Sequence, residues 1–90
     1  MPYFVYILMS EKDGRLYVGC THEIEQRIKR HCDGLVPATS GRRPLVHIHT
    51  EEFLDKSQAF NRERFLKSLW GAREKKKIAQ RYINKIGHTS

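Results

Sequence analysis

Apolar positions along this chain fall into short dense runs near the N-terminus and wider, helix-spaced series after them. Residues 3–9 are rich in aromatic and β-branched types, Ser10-Glu11-Lys12-Asp13-Gly14 carries turn chemistry, and Leu16-Tyr17-Val18-Gly19-Cys20 resumes a strand-like composition. Together they predict a hairpin. With Asp13-Gly14 as a two-residue turn, even positions of the first strand share a face with odd positions of the second, so Tyr6 and Tyr17 look the same way. Thr21 suits an N-cap, Glu23 a first helical turn, and Ile24, Ile28 and Leu35 recur at helical spacing, which predicts a helix over residues 22–34 closed by Gly34.

Residues 36–44 have turn chemistry, no period and two adjacent arginines, and read as a loop with a basic end. Leu45-Val46-His47-Ile48-His49-Thr50 alternates as a third strand with His47 and His49 on one side, and Pro44 suits its start. A second helix is expected over Lys56 to Trp70, broken by Gly71. A third should run from Ala72 to Lys85, with Ile78, Ala79, Tyr82 and Ile86 on one stripe. The order β-β-α-β-α-α implies an α+β fold, a small three-stranded antiparallel sheet flanked by helices. Residues 1–86 make one domain and 87–90 a short tail.

Ninety residues hold one core. A mean hydropathy of −0.65 and the lack of a long apolar run speak against a membrane span, and the N-terminus lacks the layout of a secretory signal, so the cytoplasm is the expected location. Cys20 and Cys32 lack the paired spacing of a zinc site and are expected as reduced thiols. The net charge of +7 favours polyanions, nucleic acid first. Seven basic and five acidic residues in 1–45 leave +2, while ten and five in 46–90 leave +5, so the positive field leans toward the C-terminal half.

Some positions do not fit a bland domain. At 100° per residue, Ala59, Leu66 and Trp70 fall within about 20° of one direction, and Glu63 lies only about 40° away. A carboxylate in an apolar stripe must meet a cation, meet a metal or protonate, so Glu63 is either in an ion pair with Arg27, Arg62 or another base, or functional. On the first helix Arg27 and His31 share the stripe that faces the sheet. His31 is either a satisfied core side chain or a reacting group, whereas the planar fork of Arg27 matches two phosphate oxygens. Tyr6 and Tyr17 are ordinary strand residues taken singly. As a set, two phenols, an arginine and histidine at i and i+4, and a carboxylate on another helix would compose a metal-assisted phosphodiester site.

These residues resemble the GIY-YIG nucleases over nearly the whole chain. Phe4-Val5-Tyr6 stands where that family has its first tripeptide and Tyr17-Val18-Gly19 where it has its second, with Arg27 and His31 at the right spacing after them. Ala59-Phe60-Asn61-Arg62-Glu63 is similar to the stretch that supplies the family's metal-binding glutamate. The compact length and Gly41-Arg42-Arg43-Pro44 resemble the small stand-alone branch related to the nuclease domain of the bacterial excision-repair enzyme. Two departures are visible: Phe4 replaces the leading glycine, which alters strand packing, and Cys20 follows Gly19 as core filler where a small hydroxyl residue is common.

The resemblance implies single-metal hydrolysis with Mg²⁺, or Mn²⁺, on Glu63. Tyr17 would accept the proton of the attacking water, Tyr6 orient it, Arg27 clamp the scissile phosphate and His31 assist proton traffic. A phenol near pKa 10 is a poor base at neutral pH, so activity is expected to rise toward alkaline pH. Arg42, Arg43, Lys75, Lys76 and Lys77 stand as contacts to the nucleic-acid backbone, with a solvated helix face as the alternative for the lysines. No recognition helix or second motif is visible, so DNA is expected to be cut with low sequence specificity, as single-stranded or branched repair intermediates. RNA, a protein partner and a homodimer remain open. The alternatives are a catalytically inactive nucleic-acid-binding module and a protein-interaction adaptor on the same scaffold.

Overall fold

The computed structural model describes residues 1–87; the expected tail lies outside the described residues except for Gly87, which ends the last helix. Strands β1 (Tyr3–Ser10), β2 (Leu16–Thr21) and β3 (Leu45–Phe53) form an antiparallel sheet in the order β2-β1-β3. Helices α1 (Ile24–Cys32), α2 (Pro37–Ser40), α3 (Lys56–Lys67) and α4 (Ala72–Gly87) cover it. The predicted α+β order holds, with one addition. The loop expected over 36–44 contains the single helical turn α2, started by Pro37, whose fixed φ suits a first helical position.

The hairpin differs from a two-residue turn. Tyr6 pairs with Gly19 and Leu8 with Tyr17, and the connection spans residues 11–15, closed by Ser10 N–H to the Arg15 carbonyl and Gly14 N–H to the Ser10 carbonyl. Gly14 takes a φ of 75°, the left-handed geometry that glycine tolerates. The register moves by an even number of positions, so Tyr6 and Tyr17 still share a face.

Alternation gives the sheet two covered faces. Val5, Ile7 and Val18 pack with Ala59 and Leu66 of α3 and Ile78 of α4 into the main core, with Cys20 at its border. The opposite face carries Tyr6, Leu8 and Tyr17, and α1 and α2 lie against it through His31 and Thr39. A bulge in β3 overturns the expectation for its histidines. His49 pairs with Ile7 and His47 with Leu8, so the two rings leave on opposite faces.

Helix ends are set by local hydrogen bonds. The first helix begins at Ile24, because the Thr21 hydroxyl accepts from Glu23 N–H ahead of the helix instead of capping it. It ends in a Schellman motif: Gly34, at φ 79°, donates to the His31 carbonyl, and Leu35 N–H donates to that of Arg30. Leu35 is therefore outside the helix and exposed, and Val36 is the buried apolar residue there. Asp55 caps α3 by accepting from Ser57 N–H. That helix stops at Lys67, where the Ser68 hydroxyl donates to the Phe65 carbonyl, so Trp70 sits in a turn instead of on the buried stripe. On α4, Ile78 and Ala79 are buried as expected while Ile86 is exposed. Both cysteines are free thiols. Among the described residues, no helix is long and apolar enough to cross a membrane.

Candidate active site

Tyr6 is the centre of a packed polar cluster. It lies in the middle of the central strand, 1% exposed, with its hydroxyl 2.9 Å from His31 Nε2. Its aromatic ring packs against that of Tyr17 at 6.4 Å between centroids, and His31 closes the triangle at 5.6 Å from Tyr6 and 5.0 Å from Tyr17. Arg27 Nε donates to the Tyr6 hydroxyl at 3.5 Å. The i, i+4 spacing of Arg27 and His31 on α1 delivers both side chains to one sheet face. Gly19, directly across from Tyr6, leaves room for this packing: a Cβ there would overlap the Tyr6 ring and hydroxyl.

The electrostatics follow from that arrangement. Burial raises the Tyr6 phenol above its ordinary value, against the hydrogen bond from Arg27, while the charges of Tyr17 and Glu63 push it further up. The Arg27 guanidinium is held more firmly protonated by its hydrogen bond to Tyr6, with Tyr17 contributing in the same direction. His31 falls to about 4, through burial first and the Arg27 charge second, and is neutral at pH 7. Its second nitrogen, Nδ1, lies 2.7 Å from the buried Thr39 hydroxyl. With a neutral ring, Tyr6 can donate to Nε2 while Nδ1–H donates to Thr39, which leaves the phenol oxygen free to accept from Arg27. His31 is thus fully satisfied, and both readings of it meet: a buried core side chain that touches the Tyr6 hydroxyl.

Thr39 was not singled out by the sequence. It sits in a stretch without hydrophobic period, and only the helical turn α2 makes it a buried partner of His31.

Glu63 stands apart from this cluster but within its electrostatic reach. Its charge acts on the Tyr6 phenol and on the Cys20 thiol, which places the carboxylate beside β2, the edge strand. It is not sealed in the core. Its side chain is 23% exposed and its Oε2 accepts from Lys67 Nζ at 3.0 Å, the next turn of the same helix. The arginine expected as one possible partner, Arg62, is engaged elsewhere, with Glu51 and Glu74.

Among the described residues, no group of three His, Cys, Asp or Glu side chains is gathered for a metal ion. A single accessible carboxylate whose ion pair is with a mobile lysine fits a hard cation that keeps several waters and takes further ligands from a phosphate. It does not fit a closed zinc-type site.

The basic residues divide. Arg42 Nη1 meets Asp13 Oδ2 at 3.2 Å and its carbonyl accepts from the Ser10 hydroxyl, so it holds the hairpin loop to the segment before β3. Arg43 folds over Gly34 and donates to the Ser40 carbonyl. Lys75 is half-buried and Lys76 and Lys77 are exposed on α4, which packs on the sheet face opposite to Tyr6 and Tyr17.

The sequence model of the GIY-YIG catalytic domain matches residues 2–78. The chain belongs to the GIY-YIG family. This is a nuclease domain family, and nucleic acid is the class of partner it implies. The chain is 40% identical over 78 residues to a UPF0213 protein of Natronomonas pharaonis, covering 86% of this chain and 91% of that protein. A UPF0213 protein of Clostridium perfringens is 42% identical over 67 residues, covering 73% and 71%. The solution NMR structure of a UPF0213 protein from Bacillus halodurans superposes with a TM-score of 0.56 at 32% identity, over 89% of this chain and 85% of that one. These are small stand-alone GIY-YIG proteins, as the sequence suggested.

Proposed function

We propose that this protein is a divalent-metal-dependent endonuclease that hydrolyses DNA phosphodiester bonds with low sequence specificity, on single-stranded or branched substrates. What carries the reading is the convergence of Tyr6, Tyr17, Arg27 and His31 on one sheet face, with Glu63 close enough to act on Tyr6.

Each side chain has a role that its surroundings support. Arg27 holds its charge and lies at the rim of the cluster, half-buried, where it can clamp two oxygens of the scissile phosphate. Tyr17 accepts the proton of the water that attacks phosphorus. Tyr6, whose phenol is pushed up and pinned by His31, stays protonated and orients that water. His31, neutral and bonded at both nitrogens, positions Tyr6 instead of delivering a proton. Glu63 would hold Mg²⁺ or Mn²⁺, which supplies charge neutralisation on the phosphate and a more acidic water. Reliance on a phenol as base implies a rate that climbs toward alkaline pH.

The test is incubation of the purified protein with labelled single-stranded, duplex and flap DNA, and with RNA, in Mg²⁺, Mn²⁺ or EDTA. Metal-dependent cleavage that is lost in Glu63→Ala supports the proposal; cleavage that survives both EDTA and that substitution refutes it. Binding without cleavage in every metal would identify the chain as an inactive nucleic-acid-binding module.

A further inference from the structure

The turn between α3 and α4 presents two large apolar side chains to solvent. Leu69 is 93% exposed and Trp70 85%, and among the described residues no aromatic ring, cation or hydrogen-bond partner meets the indole. Exposure of this kind in the middle of a folded chain is not fraying, because the turn is tightly built. Ser68 N–H and the Ser68 hydroxyl both donate to the Phe65 carbonyl, Gly71 N–H donates to Ser68, and Ala72 N–H donates to the Leu69 carbonyl. Gly71 is buried so closely against Phe65 and Leu66 that a Cβ would strike the Phe65 carbonyl. The chain is held so that Leu69 and Trp70 point away from the core.

The surroundings of this turn are cationic. Residues 64–77 contain six Lys or Arg and a single acid, Glu74, which is already paired with Arg62. Leu69 borders a shallow groove with Arg73, Lys76 and Lys77. Ala72, two residues beyond Trp70, borders a cavity with Leu16, the neighbour of Tyr17 on the edge strand. The turn also ends the helix that carries Glu63.

We propose that Trp70 is a stacking platform for an unpaired nucleobase, with Leu69 beside it and Arg73, Lys76 and Lys77 holding the phosphates of the same strand. This rests on the nucleic-acid reading above and adds how a strand is chosen. An exposed flat ring recognises a base whose face is free, and cations beside it hold the backbone, the combination that single-strand binders use. A base inside a duplex offers no such face. A second copy of this chain is a poorer occupant, since a two-fold contact would bring the same cationic rims together.

Trp70 is the only tryptophan in the chain, so its emission reports this position directly. The experiment titrates the full-length protein, in EDTA so that nothing is cut, with a fluorescein-labelled 15-mer oligothymidylate and a 15-base-pair duplex. Anisotropy of the label and intrinsic emission are followed in parallel. Oligothymidylate should quench the emission, Trp70→Ala should weaken its binding roughly tenfold with little change for the duplex, and Trp70→Phe should restore most of the loss. If oligothymidylate binds by anisotropy while the emission stays constant and Trp70→Ala binds as well as the wild type, the platform is refuted and the nucleic-acid reading stands. Absence of binding to either probe removes both. Sedimentation showing a dimer that Trp70→Ala dissolves, with binding to oligothymidylate unchanged, would reassign the turn to self-association.

Discussion

Tyr6 lies directly across the hairpin from Gly19, and its ring and hydroxyl occupy the space a side chain at Gly19 would need. The second glycine-ended tripeptide is therefore a packing requirement of the first tripeptide's tyrosine. Gly19→Ala should move the phenol away from His31 and Arg27 without opening the core on the other face of the sheet. A displacement of about 1 Å at a reacting group costs on the order of a hundredfold in rate. Gly19→Ala is expected to lose turnover on that scale while keeping a native circular dichroism spectrum. Wild-type turnover in a folded Gly19→Ala protein would remove Tyr6 from the chemistry.

Glu63 and Lys67 make a helical i, i+4 pair open to solvent, not a buried one. Such pairs are worth about 0.3–0.5 kcal/mol. Glu63→Gln should therefore leave the urea midpoint nearly unchanged while lowering metal-dependent cleavage by about a hundredfold or more. Lys67→Met, which leaves the carboxylate without its cation, should lower the Mg²⁺ concentration needed for half-maximal activity by about fivefold, taking about 1 kcal/mol for the surface charge removed. A steep loss of stability in Glu63→Gln would assign the carboxylate to folding.

The features that periodicity and spacing carry were readable in the chain itself. The β-β-α-β-α-α order, the shared face of Tyr6 and Tyr17, and the placement of Arg27 with His31 all depend on alternation or on 3.6-residue spacing, which the structure keeps. What escaped depends on single hydrogen bonds or register slips. The bulge opposite Ile7 and Leu8 turns His47 and His49 to opposite faces, and no period announces it. The Ser68 hydroxyl ends α3 early and moves Trp70 from a projected core position to solvent. Thr39 becomes the second partner of His31 only because Pro37–Ser40 makes one turn of helix. Glu63 projected onto the apolar stripe, yet at the border of that stripe a carboxylate can lean out to Lys67.

Arg62 joins three elements. Its Nε and Nη2 donate to the two carboxylate oxygens of Glu51 on β3 at 2.7 and 2.9 Å, and it also pairs with Glu74 on α4. His49 Nε2 lies 2.8 Å from Glu51 Oε2. The hydrogen bonds from Arg62 hold the Glu51 carboxyl below its usual range, against the effect of burial. Removing the guanidinium leaves two carboxylates with reduced compensation, and with the group about one-quarter exposed the cost should be about 2 kcal/mol. Arg62→Ala is expected to lower the urea midpoint accordingly, and Arg62→Lys to recover only part of it, since an ammonium cannot reproduce the fork. An unchanged midpoint in Arg62→Ala would show that the network contributes nothing to folding.

His31 makes stability depend on acid in a predictable direction. Its folded pKa of about 4 lies below the ordinary 6.5, so between those values the unfolded chain takes up a proton that the folded one excludes. Stability from this group is fully present above pH 6.5, falls as the pH drops toward 4, and loses no more below that. The amount is on the order of 2 kcal/mol. His47, also lowered by burial, adds a slope of the same sign, as does Glu51 at lower pH, so the wild-type curve alone does not isolate His31. The difference between wild type and His31→Gln does. The variant should be less stable at pH 7, because the bonds to Tyr6 and Thr39 are disturbed, yet lose less on going to pH 5. Urea midpoints at pH 7, 6 and 5 for both proteins measure this, and parallel curves would mean that His31 titrates in the folded protein as it does in water.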